Sequence, residues 1–327
     1  MSLFDLLDLR TLGLIATTLY QVIACWREDR SPPPGQWADV GGYRLHYVTA
    51  GTGDLTIVLD HSLGGIEGYL LLDELAKLSR VCIYDRAGFG WSDRSPYPRT
   101  SHQIVTELDK MLTCAGLAPP YLLVGNSFGS YNMRLYAYRF PEKVVGLVIT
   151  DGLHESGMLQ MPLALKGLQL VFVSGFIMSV LGSGLGLIRI LKLVGGFELL
   201  KPELRQFSRS SLQAVKRSFC RPKHWLTMTQ ELLALATSSR QVRCANDLKD
   251  LPILSIKSHA FFKASLITIL MPLKAADRLR DRMHHQFKSL SSHCVQLDAD
   301  RSGHFVWIDQ PDVIPHAVHL LLDKYRQ

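Results

Sequence analysis

The feature that most constrains the fold is a five-residue turn, Gly-Asn-Ser-Phe-Gly, at residues 125–129. An apolar run at residues 121–124 precedes it, and residues 130–138 carry apolar side chains at helical spacing. A G-x-S-x-G sequence between a strand and a helix is typical of a sharp turn that exposes a serine hydroxyl at a helix N-terminus. The glycines let strand and helix pack closely, and the helix N-terminus favours developing negative charge. The pattern predicts that Ser127 is a catalytic nucleophile.

A serine nucleophile needs a base, and His304 is the histidine best placed to act as one. Residues 295–297 predict a short strand, residues 300–305 a loop, and residues 311–318 the start of a C-terminal helix. His304 therefore lies on a loop after the last predicted strand, from which it can reach back to Ser127. The histidines on predicted helices are interpreted as surface or groove side chains: His284, His285, His316 and His319. None of these pairs has zinc-ligand spacing alongside other ligands, so no metal is predicted.

Two carboxylates compete for the place beside the histidine. Asp277 precedes a predicted amphipathic helix, just before the last strand, and is the preferred acid. The strand expected to carry the acid, residues 251–256, ends well before Asp277, although a strand at residues 266–270 would close that gap. Asp151, at the end of an apolar run, is the alternative, and a site without an acid is the third possibility.

An oxyanion site is the third requirement of such chemistry. Residues 55–59 predict a buried strand, and a glycine-containing loop follows at residues 60–65. Such a loop can aim backbone N–H groups at a reacting carbonyl, and the N–H of Phe128 is expected as the second donor because it follows the nucleophile. His61 is interpreted as a loop-packing side chain.

Together these motifs resemble the α/β-hydrolase superfamily, over about residues 36 to 327. Residues 37–48 look like the antiparallel hairpin that begins such domains, and residues 81–93 are similar to the family's strand and D-R-x-G-x-G-x-S loop. Ala276-Asp277-Arg278-Leu279 is similar to the acid-bearing segment of monoacylglycerol lipases, which is the main support for Asp277. The resemblance implies an α/β fold in which a mostly parallel central sheet is flanked by helices and carries an inserted helical cap.

The chain departs from the family pattern in two places. It has His61-Ser62 where the family usually has His-Gly, and by position Leu63 would then supply the oxyanion N–H. The acid strand also lacks the common G-x-x-D signature. A serine at position 127 argues against the dehalogenases and epoxide hydrolases of this fold, which place an aspartate there. The resemblance implies cleavage of a carboxylic ester with a hydrophobic acyl group, through an acyl-enzyme. The alternatives are a carbon–carbon bond hydrolase, an acyltransferase, and a noncatalytic binding protein.

The length of 327 residues and a hydrophobic content of 47% fit one large domain with an insertion. Four segments are predicted: an anchor-like segment with a Pro-rich linker (1–35), the first part of the core (36–152), the cap (153–247) and the second part of the core (248–327). Residues 167–188 carry no charge. They are assigned to the cap and not to a membrane span, because a span there would separate Ser127 from His304.

The N-terminal segment is uncharged from residue 11 to residue 26, shorter than the roughly 20 residues that span a bilayer. It is interpreted as a membrane anchor or interfacial helix, with a signal peptide or a packed helix as alternatives. Arginines after it favour a membrane-associated protein with a cytoplasmic catalytic domain. The partners expected are a small acyl substrate and, through this segment and the cap, a membrane surface.

A net charge of +7 is compatible with a solvated face or with attraction to anionic membranes. The chain shows neither a nucleic-acid-binding motif nor a dinucleotide or phosphate fingerprint, so no nucleic acid and no cofactor are predicted. The six cysteines form no C-x-x-C pattern, which indicates a reduced protein.

Overall fold

The computed structural model describes residues 8–262 and 272–326, so the strand suggested at residues 266–270 lies outside the described part. The strands are β1 Gln36–Asp39, β2 Arg44–Ala50, β3 Thr56–Asp60, β4 Arg80–Tyr84, β5 Tyr121–Asn126, β6 Val144–Thr150, β7 Ile253–Ser258 and β8 Cys294–Ala299. Within the described residues they form one sheet in the order β1-β2-β4-β3-β5-β6-β7-β8. Pairing is antiparallel from β1 to β2 and from β2 to β4, and parallel elsewhere. The predicted N-terminal hairpin and mostly parallel sheet are confirmed.

Helices cover both faces of this sheet. Those of the core are α2 Leu72–Leu75, α3 Ser101–Cys114, α4 Phe128–Arg139, α12 Leu273–Phe287, α13 Val306–Asp309 and α14 Val313–Arg326, and α1 Leu9–Arg30 precedes the sheet. Along β3, Val58 joins one apolar cluster with α3, α4 and α12, while Ile57 and Leu59 join the other with α2, α13 and α14. Successive side chains of a strand point to opposite faces, so fully buried strands need this continuous apolar sequence.

The cap is a set of helices inserted between β6 and β7. They are α5 Glu155–Leu159, α6 Leu163–Gly184, α7 Leu187–Leu193, α8 Gly196–Leu200, α9 Arg209–Phe219, α10 Pro222–Leu233 and α11 Leu235–Val242. Helix α6 packs on α10, and α1 touches α6 and α7. The inserted helical cap is therefore confirmed, while the segment boundaries at residues 152 and 247 stay predictions. Of the described helices, α6 is long and apolar enough to cross a membrane by length and composition.

Candidate active site

Ser127 lies in the turn between β5 and α4, with φ 49° and ψ −112°. A positive φ is uncommon for a residue with a side chain and is retained only where the surroundings enforce it. Here they do: a Cβ at Gly125 would lie 2.7 Å from the carbonyl oxygen of Gly129, and one at Gly129 would lie 2.4 Å from that of Asp60. The predicted strand, turn and helix are confirmed, and the two glycines allow the strand and helix to approach this closely.

His304 and Asp151 continue the site from the serine. Nε2 of His304 lies 2.8 Å from Oγ of Ser127, and its Nδ1 lies 2.5 Å from Oδ2 of Asp151. His304 is on the loop after β8, as predicted, and its imidazole stacks on the Phe261 ring with centroids 4.5 Å apart and planes 18° apart. The order Ser127, Asp151, His304 in the chain becomes one hydrogen-bonded line in space.

Asp151 follows β6 directly and is buried. Its Oδ1 accepts hydrogen bonds from Oγ and N of Ser258, at 2.8 and 3.1 Å, and lies 3.1 Å from Nε2 of His284. Burial alone would raise the pKa of Asp151, but the hydrogen bonds from His284 and His304, together with their charge, hold that pKa well below its ordinary value. The carboxyl group is therefore ionised at neutral pH.

The preference for Asp277 as the carboxylate beside the histidine is wrong by this geometry. Asp277 lies within α12, and its Oδ1 accepts the backbone N–H of Phe261 at 2.8 Å and lies 3.4 Å from Nη1 of Arg280. Phe261 in turn stacks on His304, and its carbonyl accepts the His304 N–H at 3.1 Å. Among the described residues, Asp277 thus reaches the imidazole through Phe261. Asp151 takes the place because the end of β6 lies beside the end of β5, which carries the serine.

The interpretation of His284 as a surface or groove side chain is also wrong. The residue is buried, with Nε2 at Asp151 and Nδ1 3.3 Å from Oγ of Ser255. Because a carboxylate only accepts, Nε2 of His284 donates the hydrogen bond to Asp151. A sequence signal existed: the apolar residues Leu279, Met283 and Phe287 define the inner stripe of α12, and position 284 lies beside that stripe.

The loop after β3 and the N-terminus of α4 frame the space beside Ser127. Neither the N–H of Leu63 nor that of Phe128 has a hydrogen-bond acceptor among the described residues. Leu63 and Ser127 line the same cavity. The N–H of Ser62 is taken, because it donates to Oε1 of Glu67 at 2.6 Å. The structure thus leaves the two predicted oxyanion donors available, and their role stays a prediction.

Arg86 holds this loop in place through hydrogen bonds and ion pairs. Its guanidinium donates to the carbonyls of His61 and Ser62, at 3.0 and 2.7 Å, and pairs with Asp60 at 2.7 Å and with Glu231 at 2.8 Å. Glu231 is on α10, so the same side chain joins the loop to the cap. The His61 ring accepts the N–H of residue 68 and donates to the carbonyl of residue 84, which confirms its packing role.

A cavity of about 320 Å³ opens beside Ser127 and His304. Its walls are supplied by the core, by α6, α10 and α11 of the cap, and by α12. The apolar lining residues are Leu63, Leu153, Met158, Met161, Leu165, Leu168, Phe172, Phe176, Met228, Leu232, Leu235, Phe261, Phe262, Ala276, Leu279, Met283 and Phe305. Among residues 8–262 and 272–326, no cluster of three or more His, Cys, Asp or Glu side chains could hold a metal ion.

Parts of this chain are similar in sequence to known proteins. A family model described as the alpha/beta hydrolase fold matches residues 56–177. The probable transporter efuK of Hormonema carpetanum is 24% identical over 303 residues, which are 88% of this chain and 42% of that protein. The (lyso)-N-acylphosphatidylethanolamine lipase of Homo sapiens is 29% identical over 101 residues, 29% of each protein. The chain therefore spans less than half the length of these curated relatives.

Among solved structures, the epoxide hydrolase CorEH superposes with a TM-score of 0.67 at 18% identity, covering 89% of this chain and 98% of that one. At this identity the likeness concerns the fold alone. It agrees with the sheet order, with the strained serine turn and with the matched family model. The chain therefore has the α/β-hydrolase fold, and its residues 56–177 match the family model of that fold.

Proposed function

We propose that this chain is a serine hydrolase that cleaves a carboxylic ester with a hydrophobic acyl group, through an acyl-enzyme intermediate. The observation that carries the proposal is the hydrogen-bonded line from Ser127 through His304 to Asp151, which ends at the wall of an apolar cavity. Nucleophile and base within hydrogen-bond reach, with the base held by a third group, is the arrangement that activates a serine.

In the first half-reaction, Nε2 of His304 takes the hydroxyl proton of Ser127 while Oγ attacks the ester carbonyl carbon. The oxyanion is held by the N–H groups of Leu63 and Phe128. As the C–O bond breaks, His304 returns the proton to the leaving alcohol. Water then attacks the acyl-enzyme with His304 again as the base, which releases the acid and restores the serine. Asp151 keeps Nδ1 protonated and stabilises the imidazolium that forms twice in the cycle.

The walls of the cavity favour a hydrophobic acyl chain. Among the described residues that line it, Ser62 and Gln169 are the polar ones beyond Ser127 and His304, and the others are aliphatic, aromatic or methionine side chains. The polar oxygens of a vinylogous diketone, the substrate expected of a carbon–carbon bond hydrolase, would lose hydration there and gain few partners. The matched segment of the (lyso)-N-acylphosphatidylethanolamine lipase adds support for a lipid ester. An acyltransferase would use the same groups with an alcohol in place of water.

Labelling of the purified protein with a fluorophosphonate probe tests the proposal. We expect wild-type protein and Ser62→Ala to be labelled, because Ser62 lines the cavity away from any base, and Ser127→Ala to be unlabelled. A screen of p-nitrophenyl and glyceryl esters, with and without an added alcohol, then separates hydrolysis from acyl transfer. A folded wild-type protein that resists the probe and turns over no ester would overturn the proposal in favour of a binding role.

A further inference from the structure

Helix α1 has its polar and apolar faces reversed relative to a helix that packs in water. Gln21 points to the cap, where its Nε2 donates to the carbonyl of Cys220 at 2.7 Å and its Oε1 accepts from Arg189 at 2.6 Å. The aliphatic side chains of Leu19 and Val22 are exposed to 57 and 59% of their area. A surface helix of a protein in water normally turns its apolar stripe inward.

Helix α6 is apolar on both of its sides. On the inner side, Leu168, Phe172 and Phe176 line the cavity beside Ser127. On the outer side, Leu170 and Met178 are exposed. Only 6% of its most apolar 18-residue stretch is buried in the protein. One helix thus separates the cavity from an apolar outer surface, a distance on the order of 10 Å.

These outer faces form one surface, which we call the cap platform. It comprises the exposed apolar side chains of α1, α6, α7 and α8, among them Leu19, Val22, Leu170, Met178, Leu193 and Leu199. Helix α1 touches α6 and α7, α6 touches α7, and α7 touches α8, so these exposed side chains lie on adjoining helices. Exposed apolar side chains gathered in this way mark an interaction site.

The carboxylates at the end of α1 and on α8 are paired with cations of the cap. The acidic residues Glu28 and Asp29 of α1 are bound by arginines of the cap: Arg189 and Arg221 lie 2.5 and 2.8 Å from Glu28, and Arg221 lies 2.9 Å from Asp29. Glu198 of α8 pairs with a lysine of α9.

The cations that border the platform are left without such partners. Arg27 and Arg30 at the end of α1, Lys166 at the start of α6 and Lys192 on α7 pair with no carboxylate of the described residues. The guanidinium of Arg30 lies over the Trp26 ring, 3.8 Å from its centroid. An apolar surface bordered by unpaired cations complements an anionic lipid surface, where each cation contributes attraction.

We propose that the cap platform docks on the surface of an anionic lipid bilayer and lies in its interface without spanning it. The packing of α6 on α10 and its share in the cavity wall hold it to the cap, and the Glu28 ion cluster holds the end of α1 there. A second copy of the chain fits less well, because facing platforms would bring these cations against their like. Docking itself does not depend on the proposed function, but the consequence that an acyl group enters the cavity directly from lipid rests on it.

Vesicle flotation with the full-length protein tests this docking. We expect the wild-type protein to float with phosphatidylcholine vesicles that contain about 30 mol% phosphatidylglycerol, and less with pure phosphatidylcholine. Leu170→Gln/Met178→Gln should weaken binding at least about ten-fold, through lost apolar burial. Lys166→Gln/Lys192→Gln should weaken binding to the anionic vesicles by about 30-fold, from two lost cations, and remove the preference for them. The control is Val295→Gln/Leu320→Gln, which changes two exposed apolar residues on β8 and α14, away from the platform.

Three results would overturn the proposal: a wild-type protein that does not float, a control that falls as far as the platform variant, or a wild-type dimer in solution that the platform variant dissociates. Hydrolysis of a soluble short-chain ester by the platform variant should equal that of the wild type, since neither changed residue lines the cavity. A wild-type protein that floats and hydrolyses nothing would sink the proposed function and leave docking standing.

Discussion

The region around Ser127 and the cap platform follow opposite rules for polar groups. Around the serine, charges are buried and partnered: Asp151 meets three side chains, and the guanidinium of Arg86 joins two carboxylates and two carbonyls. On the platform, Leu193 and Val194 are exposed to 62 and 73% of their area. Near the serine, buried and partnered charges hold the side chains in fixed positions. On the cap, exposed apolar side chains would release hydrophobic free energy if they were buried against another apolar surface. Stability in water alone explains the first region and not the second.

Removal of the Ser127 hydroxyl should have the largest effect. In Ser127→Ala we expect kcat for ester hydrolysis to fall by a factor on the order of 10⁴ or more, because no covalent intermediate can form. The melting temperature should hold, since the lost hydrogen bond lies at the cavity wall. Steady-state hydrolysis and a thermal melt on one preparation measure both. Activity that survives the substitution would place the chemistry elsewhere.

The two candidate carboxylates give the next largest contrast. Asp151→Asn should lower kcat by a factor on the order of 10⁴, because an amide does not hold the imidazole in the required tautomer. Asp277→Asn should cost less than about ten-fold, since in the described part of the chain Asp277 is linked to His304 through the Phe261 backbone and ring and not directly. Both variants are compared by kcat on the same ester. A larger loss in Asp277→Asn than in Asp151→Asn would restore the acid that the sequence favours.

The two carboxylates show which part of the site a single sequence does not predict. Local patterns sufficed for β3, β5, β6 and the serine turn, because each is a short apolar run closed by a turn. They also sufficed for His304, which needs only to follow the last strand. The acid needed the order of strands: β6 lies beside β5, so Asp151 falls next to the serine, while the end of β7 contributes Ser258 as a donor to it. The resemblance to monoacylglycerol lipases favours Asp277 over Asp151, because it rests on a local motif and carries no information on strand order.

Burial of a polar residue on a helix is equally hard to predict from one chain. His284 lies at the inner edge of α12. Whether a carboxylate lies next to it depends on the end of β6, which is far away in the sequence. The cap was predictable as a cap, because a charge-free segment between Ser127 and His304 must return to the core. Its exposed outer face was not, because hydropathy gives the composition of a helix and not its surroundings.

Arg86 joins the core to the cap, and its removal tests how firmly. Arg86→Met should lower the free energy of unfolding by about 3–5 kcal/mol, because Asp60 and Glu231 would remain buried without their cation. Arg44→Met, which breaks an exposed pair with Asp93, should cost about 1 kcal/mol or less. Urea unfolding gives both values. Equal losses would mean that the buried ion cluster is no stronger than a surface pair.

Acid should destabilise the cap before it affects Asp151. His224 is buried beside Phe89 and Phe219, and burial lowers its pKa from 6.5 to about 3. A base with a lowered folded pKa binds its proton first in the unfolded state, so stability is lost as the pH falls from 6.5 towards 3. Between pH 7 and pH 5 this amounts to roughly 2 kcal/mol. Asp151 has the opposite sign: its contribution persists until the pH falls below its ordinary value of 3.8.

Urea midpoints at pH 7 and pH 5 measure this loss. His224→Phe should reduce the difference between the midpoints at the two pH values. His285→Gln, which changes an exposed histidine of α12, should leave that difference unchanged. His154, whose pKa burial lowers to about 4, supplies the dependence that remains in the variant. An unchanged pH difference in His224→Phe would show that the cap does not titrate through this ring.

The smallest expected effect tests the platform in water. Leu193→Gln/Val194→Gln should change the free energy of unfolding by no more than about 0.5 kcal/mol per site, because both side chains are largely exposed. In the core, Ile57→Ala should cost about 2–5 kcal/mol by creating a cavity. Urea unfolding without lipid measures both. If the platform pair proved as costly as the core residue, its side chains would pack within the protein. If it costs nothing in water yet abolishes flotation, these leucine and valine side chains are placed for contact with lipid.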